Sequence, residues 1–258
     1  MNDETLSFEA LINEARQAHF SGWDFSWLAG RVDYTETPWD YRQLVIEYIS
    51  RSEAMLDMET GGGEFLAELP QRPLTTCATE DYEPNIPIAK ARLGSLGIEV
   101  YQSKDDGKEL PFSDNSFDLV INRHGSFYAP ELFRVLRPGG IFLSQQVGPA
   151  NEIQLNEFLA PDIAPTYSGE EFSLAQYLKD FQLAGFEVIR AESAGTPAHY
   201  YDIGAVVYYL KAIPWQIPGF VCEENLAVMR KLHEKILKEG KFTTMEDRML
   251  LILQKPTI

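Results

Sequence analysis

The sequence predicts an α/β fold built on a doubly wound, mostly parallel sheet. Five short apolar runs between residues 54 and 145 are bounded by turn residues and alternate with helical patterns. Strands this short and this apolar are typical of parallel strands that helices cover on both faces. Of the 258 residues, 45% are hydrophobic and 24% are charged, which indicates a globular chain long enough for a full core.

Two helical patterns precede these strands. Apolar residues recur at helical spacing over residues 6–18 and again over 41–49. The segment between them, residues 23–41, is rich in aromatic and turn residues. It is either a packed linker or a mobile cover over a site.

From residue 54 onward, strands and helices alternate. Strands are expected at 54–58, 75–79, 98–102, 117–121 and 141–145, with helices at 64–69, 86–96 and 130–136. Beyond Gln146 the pattern is less regular, with a loop through Pro161 and Pro165. The later elements are a helix at 174–184, a strand at 186–191, helices at 204–212 and 224–238, and a last strand at 248–254.

These elements divide the chain into four parts. They are an N-terminal helical cover at 1–50, a sheet core at 51–195, an inserted helical cap at 196–242 and the final strand of the core at 243–258. The five core strands, the strand at 186–191 and the final strand make seven. The inserted segment is placed where it could cover a ligand crevice.

The charge balance argues against nucleic acid as a partner. The chain has 22 Lys and Arg against 39 Asp and Glu, a net charge of −17, so it lacks the basic surplus that binds phosphates. Lys231, Lys235 and Lys238 recur at helical spacing and could form a basic stripe for RNA. Glu234 and Glu239 interrupt that stripe, which favours an ordinary solvated helix face.

A few further features of the sequence bear on metal binding and on the cellular location of the protein. Cys77 and Cys222 are the two cysteines, too few for a four-cysteine zinc site, and no metal site is predicted. The acidic N-terminus lacks the pattern of a signal peptide, and no stretch is apolar enough to span a membrane. A cytoplasmic protein without a membrane partner is expected, and the oligomeric state stays open.

A glycine turn follows the first core strand. Gly61 to Gly63 stand between that strand and a helix, where glycines let the backbone approach a ligand. A plain turn is the alternative. A dinucleotide fingerprint would need a third glycine where Leu66 stands, so NAD is disfavoured.

The next two strands end in acidic residues. Glu80 stands at a carboxyl strand end beside the glycine turn, where a carboxylate can accept both hydroxyls of a ribose, or else it is a solvated loop residue. Asp106, placed better than Asp105 relative to Leu110, could recognise an adenine together with a backbone N–H.

Four motifs in order resemble the S-adenosylmethionine-dependent methyltransferases of the Rossmann-like class, in the type 11-like subgroup. They are the glycine turn after Asp57, the acidic strand end at Glu80, the stretch LPFSDNSFD at 110–118 and LRPGG at 136–140. The resemblance covers about residues 55–147 and implies a Rossmann-like fold, the cofactor S-adenosylmethionine and methyl transfer. The whole chain also resembles bacterial members of this family.

The resemblance also implies roles for individual residues. Asp57 would structure the glycine turn, Gly61 and Gly63 would face the methionine part of the cofactor, Glu80 would hold the ribose, Asp106 and Gly107 the adenine, and Asn122 and Arg123 would face cofactor and acceptor. Glu59 departs from the family pattern, which has glycine there. A left-handed backbone would strain Glu59, and its charge could repel the cofactor carboxylate or hold its ammonium.

A catalytic base is needed only when the acceptor must lose a proton. His124, directly after the fourth core strand, is the best-placed candidate, followed by His199 and Asp202. Each could equally be a hydrogen-bonded structural residue. Arg31 could reach the cofactor carboxylate if the aromatic segment with Trp23, Trp27, Trp39 and Tyr41 closed over the site, although packing of those rings in the core is the alternative.

Three functions remain on these grounds. The first is a methyltransferase acting on a small molecule, with RNA as the less favoured acceptor. The second is a dinucleotide oxidoreductase, which Leu66 argues against. The third is a non-catalytic S-adenosylmethionine-binding protein, motivated by Glu59.

Overall fold

One sheet of eight strands runs through the protein. The computed structural model describes residues 7–104 and 107–257. The strands are β1 (Val32–Tyr34), β2 (Ala54–Met58), β3 (Thr75–Glu80), β4 (Glu99–Gln102), β5 (Phe117–Arg123), β6 (Leu136–Val147), β7 (Glu187–Tyr200) and β8 (Phe242–Gln254). The helices are α1 (Phe8–Gln17), α2 (Tyr41–Ile49), α3 (Glu64–Ala67), α4 (Ile86–Gly94), α5 (Ala129–Val135), α6 (Ile153–Leu159), α7 (Leu174–Ala184), α8 (Ile203–Ala212) and α9 (Leu226–Glu239).

The strand order confirms the predicted α/β class. The order across the sheet is β1-β7-β8-β6-β5-β2-β3-β4. The five strands β4, β3, β2, β5 and β6 are parallel to one another, whereas β8 is antiparallel to β6 and β7 and β1 is antiparallel to β7. All five strands predicted between residues 54 and 145 are present; β2 has the predicted ends and the other four have shifted ends.

The sheet has eight strands, one more than the seven predicted. The additional strand is β1, which pairs Val32 with Tyr200 at the edge of the sheet. It lies inside the aromatic segment at 23–41 and has three residues, which is too short for an alternating pattern to stand out in the sequence. Helix α6 was also not predicted, because its seven residues follow an irregular loop.

Both faces of the parallel strands are covered by helices. On one face, β2, β5 and β8 pack against α2 and α4 through residues such as Met55, Ile121 and Leu250. On the other face, alternate residues of the same strands pack against α5 and α7, for example Leu56 and Val120. This two-sided burial explains why the strands are apolar along their whole length.

A third core lies beyond the carboxyl end of the parallel strands. Strands β7 and β8 extend past the level of Val147, which pairs with Arg248, as far as the pair Tyr200 and Phe242. Helices α1, α6, α8 and α9, together with β1, pack against this extension around Tyr200, Tyr208 and Met229. We call this assembly of α1, β1, α6, α8, α9 and the extended strand ends the outlying unit.

The outlying unit joins two segments that the sequence analysis separated. Helix α1 belongs to the predicted N-terminal cover and helices α8 and α9 to the predicted cap, yet all three share one core. The predicted domain boundaries, and a capping role for residues 196–242, therefore stay predictions. Within the described ranges, no helix combines the length and apolar character that a membrane crossing requires.

Candidate functional site

The carboxyl ends of β2 and β5 meet where the chain changes direction across the sheet. From β2 the chain forms β3 and β4 on one side and then crosses to β5 on the other. Ligands of open α/β sheets bind in the crevice at such a point. The residues directly after β2 and β5, Glu59 and His124, both have left-handed backbone, with φ of 58° and 63°. Strain of this kind is concentrated at functional sites.

The glycine turn is tied to the end of the neighbouring strand β3. Asp57 accepts a 2.6 Å hydrogen bond from the Thr60 hydroxyl, and Gly61 donates its N–H to Glu80 Oε2 at 2.6 Å. Gly61 and Gly63 have φ of 65° and 79°, so glycine fits both positions. A Cβ on Gly63 would lie 2.7 Å from Leu93 Cγ.

Glu80 presents a buried carboxylate to this turn. The residue is 3% exposed, and its second oxygen accepts the N–H of Tyr82 at 3.0 Å. Burial raises the pKa of Glu80 to about 7, against the opposing effect of the two N–H bonds. A carboxylate that accepts two N–H donors here can equally accept two hydroxyl donors, as the predicted ribose contact requires.

Glu59 directs its carboxylate towards the ends of β3 and β4. Oε1 accepts the Ser103 hydroxyl at 2.6 Å and Oε2 accepts the Asp81 N–H at 3.0 Å. Burial raises the pKa of Glu59, and the charges of Asp81 and Glu80 raise it further. Carboxylate oxygens of Glu59, Glu80 and Asp81 all lie within 4.8 Å of one another. This end of the crevice therefore favours a ligand that carries positive charge.

The predicted adenine contacts are only partly described. Asp106 lies outside the described residues. Gly107 follows it with φ of 76°, and a Cβ there would lie 3.4 Å from Phe127 Cα. The role of both residues in adenine recognition stays a prediction.

Asn122 fastens the strand ends together. Its side chain is fully buried. Nδ2 donates to the Met58 carbonyl at 3.0 Å, and Oδ1 accepts from Ser144 Oγ at 3.2 Å and Gln146 Nε2 at 2.5 Å. With these bonds, Asn122 ties β2, β5 and β6. Its predicted contact with the cofactor has no support from them.

A cavity of about 580 Å³ opens beside the glycine turn. Its wall includes Arg123 from β5, Gln145 from β6, Trp39 and Tyr41 before and at the start of α2, and Phe65 from α3. The Arg123 guanidinium lies over the Phe65 ring, 5.3 Å from its centre. The cavity therefore joins apolar walls with a cation at the end of β5.

His124 is held by a chain of side chains that the sequence does not reveal. The Trp39 indole N–H donates to Gln145 Oε1 at 2.8 Å, so the amide nitrogen of Gln145 faces His124 Nε2 at 3.2 Å. Burial, together with the charges of Arg248 and Arg123, holds the pKa of His124 well below its usual value. The imidazole is thus neutral, and its Nε2 lone pair accepts from Gln145.

The other two candidate bases and Arg31 lie in the outlying unit. Asp202 caps α8 by accepting the Ala205 N–H at 2.9 Å, and it pairs with Arg31 at 3.4 Å. Arg31 also pairs with Glu14 at 2.5 Å. His199 lies on β7, where its ring contacts Thr243 Oγ1 at 3.0 Å. These contacts fit structural roles, and catalytic or cofactor roles for the three residues stay predictions.

The aromatic residues of the N-terminal segment are divided between two places. Trp23 lies over the glycine turn, since a Cβ on Gly61 would be 3.1 Å from its ring. Trp39 and Tyr41 reach the ends of β6 and β5, where Tyr41 donates to the Asn122 carbonyl at 3.0 Å. Trp27 instead stacks on Tyr208 in the outlying unit, with 4.7 Å between ring centres. Part of the segment therefore covers the crevice and part is a packed linker.

The region of this chain that is similar to known proteins is the region that contains the glycine turn and the ends of β2, β3 and β5. Residues 56–144 match the family model described as "Methyltransferase domain". A fatty-acid O-methyltransferase of Mycolicibacterium smegmatis is 35% identical over 100 residues, which are 36% of this chain and 35% of that protein. A phthiotriol/phenolphthiotriol dimycocerosates methyltransferase of Mycobacterium tuberculosis is 33% identical over 100 residues, 36% of each chain.

The similarity to solved structures extends further along the chain. A protein of Bacillus halodurans C-125 that has been assigned as a methyltransferase superposes with a TM-score of 0.60 at 19% identity, over 84% of this chain and 99% of that one. At this identity, the match concerns the fold. The chain spans about a third of the length of the curated relatives it matches. The matched residues contain the glycine turn, Glu59, Glu80 and the end of β5, whereas the outlying unit lies outside them.

Proposed function

We propose that this chain, whose residues 56–144 form a methyltransferase domain of the Rossmann-like class, transfers a methyl group from S-adenosylmethionine to a small-molecule acceptor. The observation that carries the proposal is the glycine turn tied to the Glu80 carboxylate at the reversal point of the sheet. A buried carboxylate and a left-handed glycine side by side suit a ribose next to a closely approaching backbone.

The residues at this point fit that cofactor. S-adenosylmethionine carries a sulfonium and an ammonium group, and the buried acids Asp57 and Glu80, with the half-buried Glu59, can supply negative charge around the turn. Burial raises the pKa of both Asp57 and Glu80 to about 7, so a cationic ligand would relieve the cost of holding them ionised. Glu80 would hold the ribose hydroxyls, and the Gly61–Gly63 backbone would face the methionine part.

When bound, S-adenosylmethionine supplies an activated methyl group for in-line displacement. The protein aligns the acceptor and excludes water. Asn122 fixes the ends of β2, β5 and β6 that form the floor of the crevice. Trp23 lies over the turn, where it would cover the bound cofactor. Aligning the acceptor and excluding water do not require any described side chain of the crevice to gain or lose a proton.

The acceptor is proposed to be a small molecule. The cavity of about 580 Å³ has a size typical of small-ligand sites, and the curated relatives are named for fatty-acid and mycocerosate acceptors. The net charge of −17 disfavours RNA as the acceptor.

A cytoplasmic location is also part of this proposal. Both cysteines are free thiols, which fits that location.

A second function, cofactor binding without turnover, is favoured by Glu59. This glutamate stands where related methyltransferases have glycine, and its carboxylate is bonded to Ser103 and Asp81 at the ends of β3 and β4. The carboxylate therefore occupies the strand ends where the nucleoside is proposed to bind. Weak binding, or binding without transfer, is the expected consequence under this alternative.

The experiment is transfer of a radiolabelled methyl group from S-adenosylmethionine to a panel of small acceptors, with Glu80→Ala and Glu83→Ala run in parallel. Glu83 is exposed on the same loop, so its variant controls for loss of one charge. We expect label transfer by the native protein and by Glu83→Ala, and its loss in Glu80→Ala. Binding of the cofactor with no transfer to any acceptor would establish the second function instead.

A further inference from the structure

Arg123 lies in the wall of the cavity, where its charge opposes the effect of burial on the pKa of Asp57. It follows Asn122 at the end of β5, is exposed into the cavity and contacts the face of Phe65. Among residues 7–104 and 107–257, it forms no ion pair. In a chain of net charge −17, a guanidinium that forms no ion pair is available to bind an anionic ligand.

Three of the four acidic residues in the cavity wall are engaged by other groups of the protein. Asp40 caps α2 by accepting the Gln43 N–H at 2.9 Å. Glu68 pairs with Arg42 at 2.5 Å, and Glu64 pairs with Arg92. Glu36 is the remaining acid of the wall. The other cation of the wall, Arg42, is therefore already neutralised, whereas Arg123 is available to a ligand.

The shape of the cavity adds a second requirement. Trp39, Tyr41, Phe65 and Pro38 supply apolar surface around the guanidinium. A ligand that satisfies both features has an apolar body and an anionic end. The Nε2 lone pair of His124 is engaged by Gln145, so His124 is poorly placed to take a proton from an alcohol, whereas a carboxylate acceptor needs no base.

From these observations we propose that the acceptor is a carboxylic acid, bound as its carboxylate by Arg123 and methylated on oxygen; this rests on the proposed function above. One carboxylate oxygen forms a bond to the methyl carbon as the carbon–sulfur bond breaks. The bonding electron pair stays on sulfur, which becomes a neutral thioether. The products are a methyl ester and S-adenosylhomocysteine, and no proton is transferred.

The test compares acids with alcohols of the same skeleton. Binding of octanoate, dodecanoate and phenylacetate to the protein saturated with S-adenosylhomocysteine is followed through tryptophan fluorescence, with octanol, dodecanol and phenylethanol as neutral counterparts. We expect at least one acid to bind and its alcohol to bind about tenfold more weakly or worse. With S-adenosylmethionine, that acid should be converted to its methyl ester.

The variants Arg123→Met and Arg123→Lys separate the acceptor from the cofactor. Arg123→Met should weaken acid binding about tenfold to hundredfold and leave the affinity for S-adenosylhomocysteine unchanged. Arg123→Lys should recover part of the loss, because it restores charge without the bidentate fork. Arg51→Met removes an exposed arginine that pairs with Glu47 and serves as the matched control.

Three results would overturn the proposal. They are equal binding of acids and alcohols, unchanged acid binding in Arg123→Met, and loss of S-adenosylhomocysteine binding in that variant, which would assign Arg123 to the cofactor carboxylate. Failure of the native protein to bind S-adenosylhomocysteine would instead refute the proposed function itself.

Discussion

Two glutamates with left-handed backbone, one half-buried and one buried, lie in different regions of the protein. Glu59 follows β2 at the glycine turn with φ of 58°, and Glu152 precedes α6 in the outlying unit with φ of 53°. Burial raises the pKa of both, that of Glu152 to about 8. The Glu59 carboxylate accepts bonds from Ser103 and Asp81. In the described residues, neither carboxylate oxygen of Glu152 has a hydrogen-bond partner.

The difference shows that a raised pKa and a strained backbone do not by themselves mark a ligand site. Glu59 belongs to a group of three acids at the reversal point of the sheet, beside backbone that can approach a ligand. Glu152 is 1% exposed and lies inside the outlying unit. The charge of Glu246, on the extended strand β8, also raises the pKa of Glu152. We therefore assign binding to the first region and a cost in stability to the second.

The largest expected effect concerns the packing of the glycine turn. Gly63→Ala introduces a Cβ into left-handed backbone and against Leu93, which should reduce the free energy of unfolding by about 3 kcal/mol. Gly30→Ala, also at a left-handed glycine (φ 74°) but with open space around it, should cost about 1 kcal/mol. Denaturant unfolding of both variants measures the difference. Equal losses would show that the turn is not packed as described.

Glu152→Gln tests whether that carboxylate destabilises the fold. Its pKa is raised from an ordinary 4.5 to about 8, so the folded state holds a proton that the unfolded state releases. Stability contributed by this group is therefore present at low pH and is lost as pH rises from about 4.5 through about 8. Glutamine does not titrate, and the stability of Glu152→Gln relative to the native protein should rise by about 2 kcal/mol between pH 6 and pH 9.

Chemical denaturation at these two pH values checks this prediction. Glu234→Gln alters an exposed glutamate on α9 and should show no such change with pH. A Glu152→Gln curve parallel to the native one across this range would mean that Glu152 is paired or solvated.

A smaller effect is expected when the charge of Glu59 is removed. S-adenosylmethionine carries one more positive charge than S-adenosylhomocysteine, and the acids around the turn should favour the charged ligand. At pH 9, above the raised pKa of Glu59 of about 8, Glu59→Gln should reduce that preference by about 1 kcal/mol, or roughly fivefold. Calorimetric titration with both ligands gives the ratio, and Glu53→Gln, an exposed site just before β2, is the control. An unchanged ratio would show that the Glu59 charge does not reach the sulfonium.

The part of the site predicted from sequence is the part that is local in the chain. The turn at Gly61–Gly63 could be predicted because glycines directly follow an apolar strand. Glu80 could be placed beside it because consecutive parallel strands end at the same edge. The four ordered motifs identified the same region that the family model matches, residues 56–144.

The remaining features depend on residues that are distant in sequence. The chain from Trp39 through Gln145 to His124 connects three elements, and no local pattern indicates it. The family resemblance implies that Asn122 faces the cofactor, which stays a prediction; its bonds to Ser144 and Gln146 arise from the pairing of β5 with β6 and could not be predicted locally. Strand β1 depends on Tyr200, far along the chain, and its sequence alone indicates little.

The central claim is that the glycine turn and Glu80 bind S-adenosylmethionine. Isothermal titration of the native protein, Glu80→Ala and the control Glu83→Ala with S-adenosylmethionine and S-adenosylhomocysteine, with NADH as the control ligand, tests it directly. We expect binding of both sulfur ligands but not of NADH, and a loss of affinity of about a hundredfold in Glu80→Ala alone. Binding that Glu80→Ala leaves intact, or no binding by the folded native protein, would contradict it.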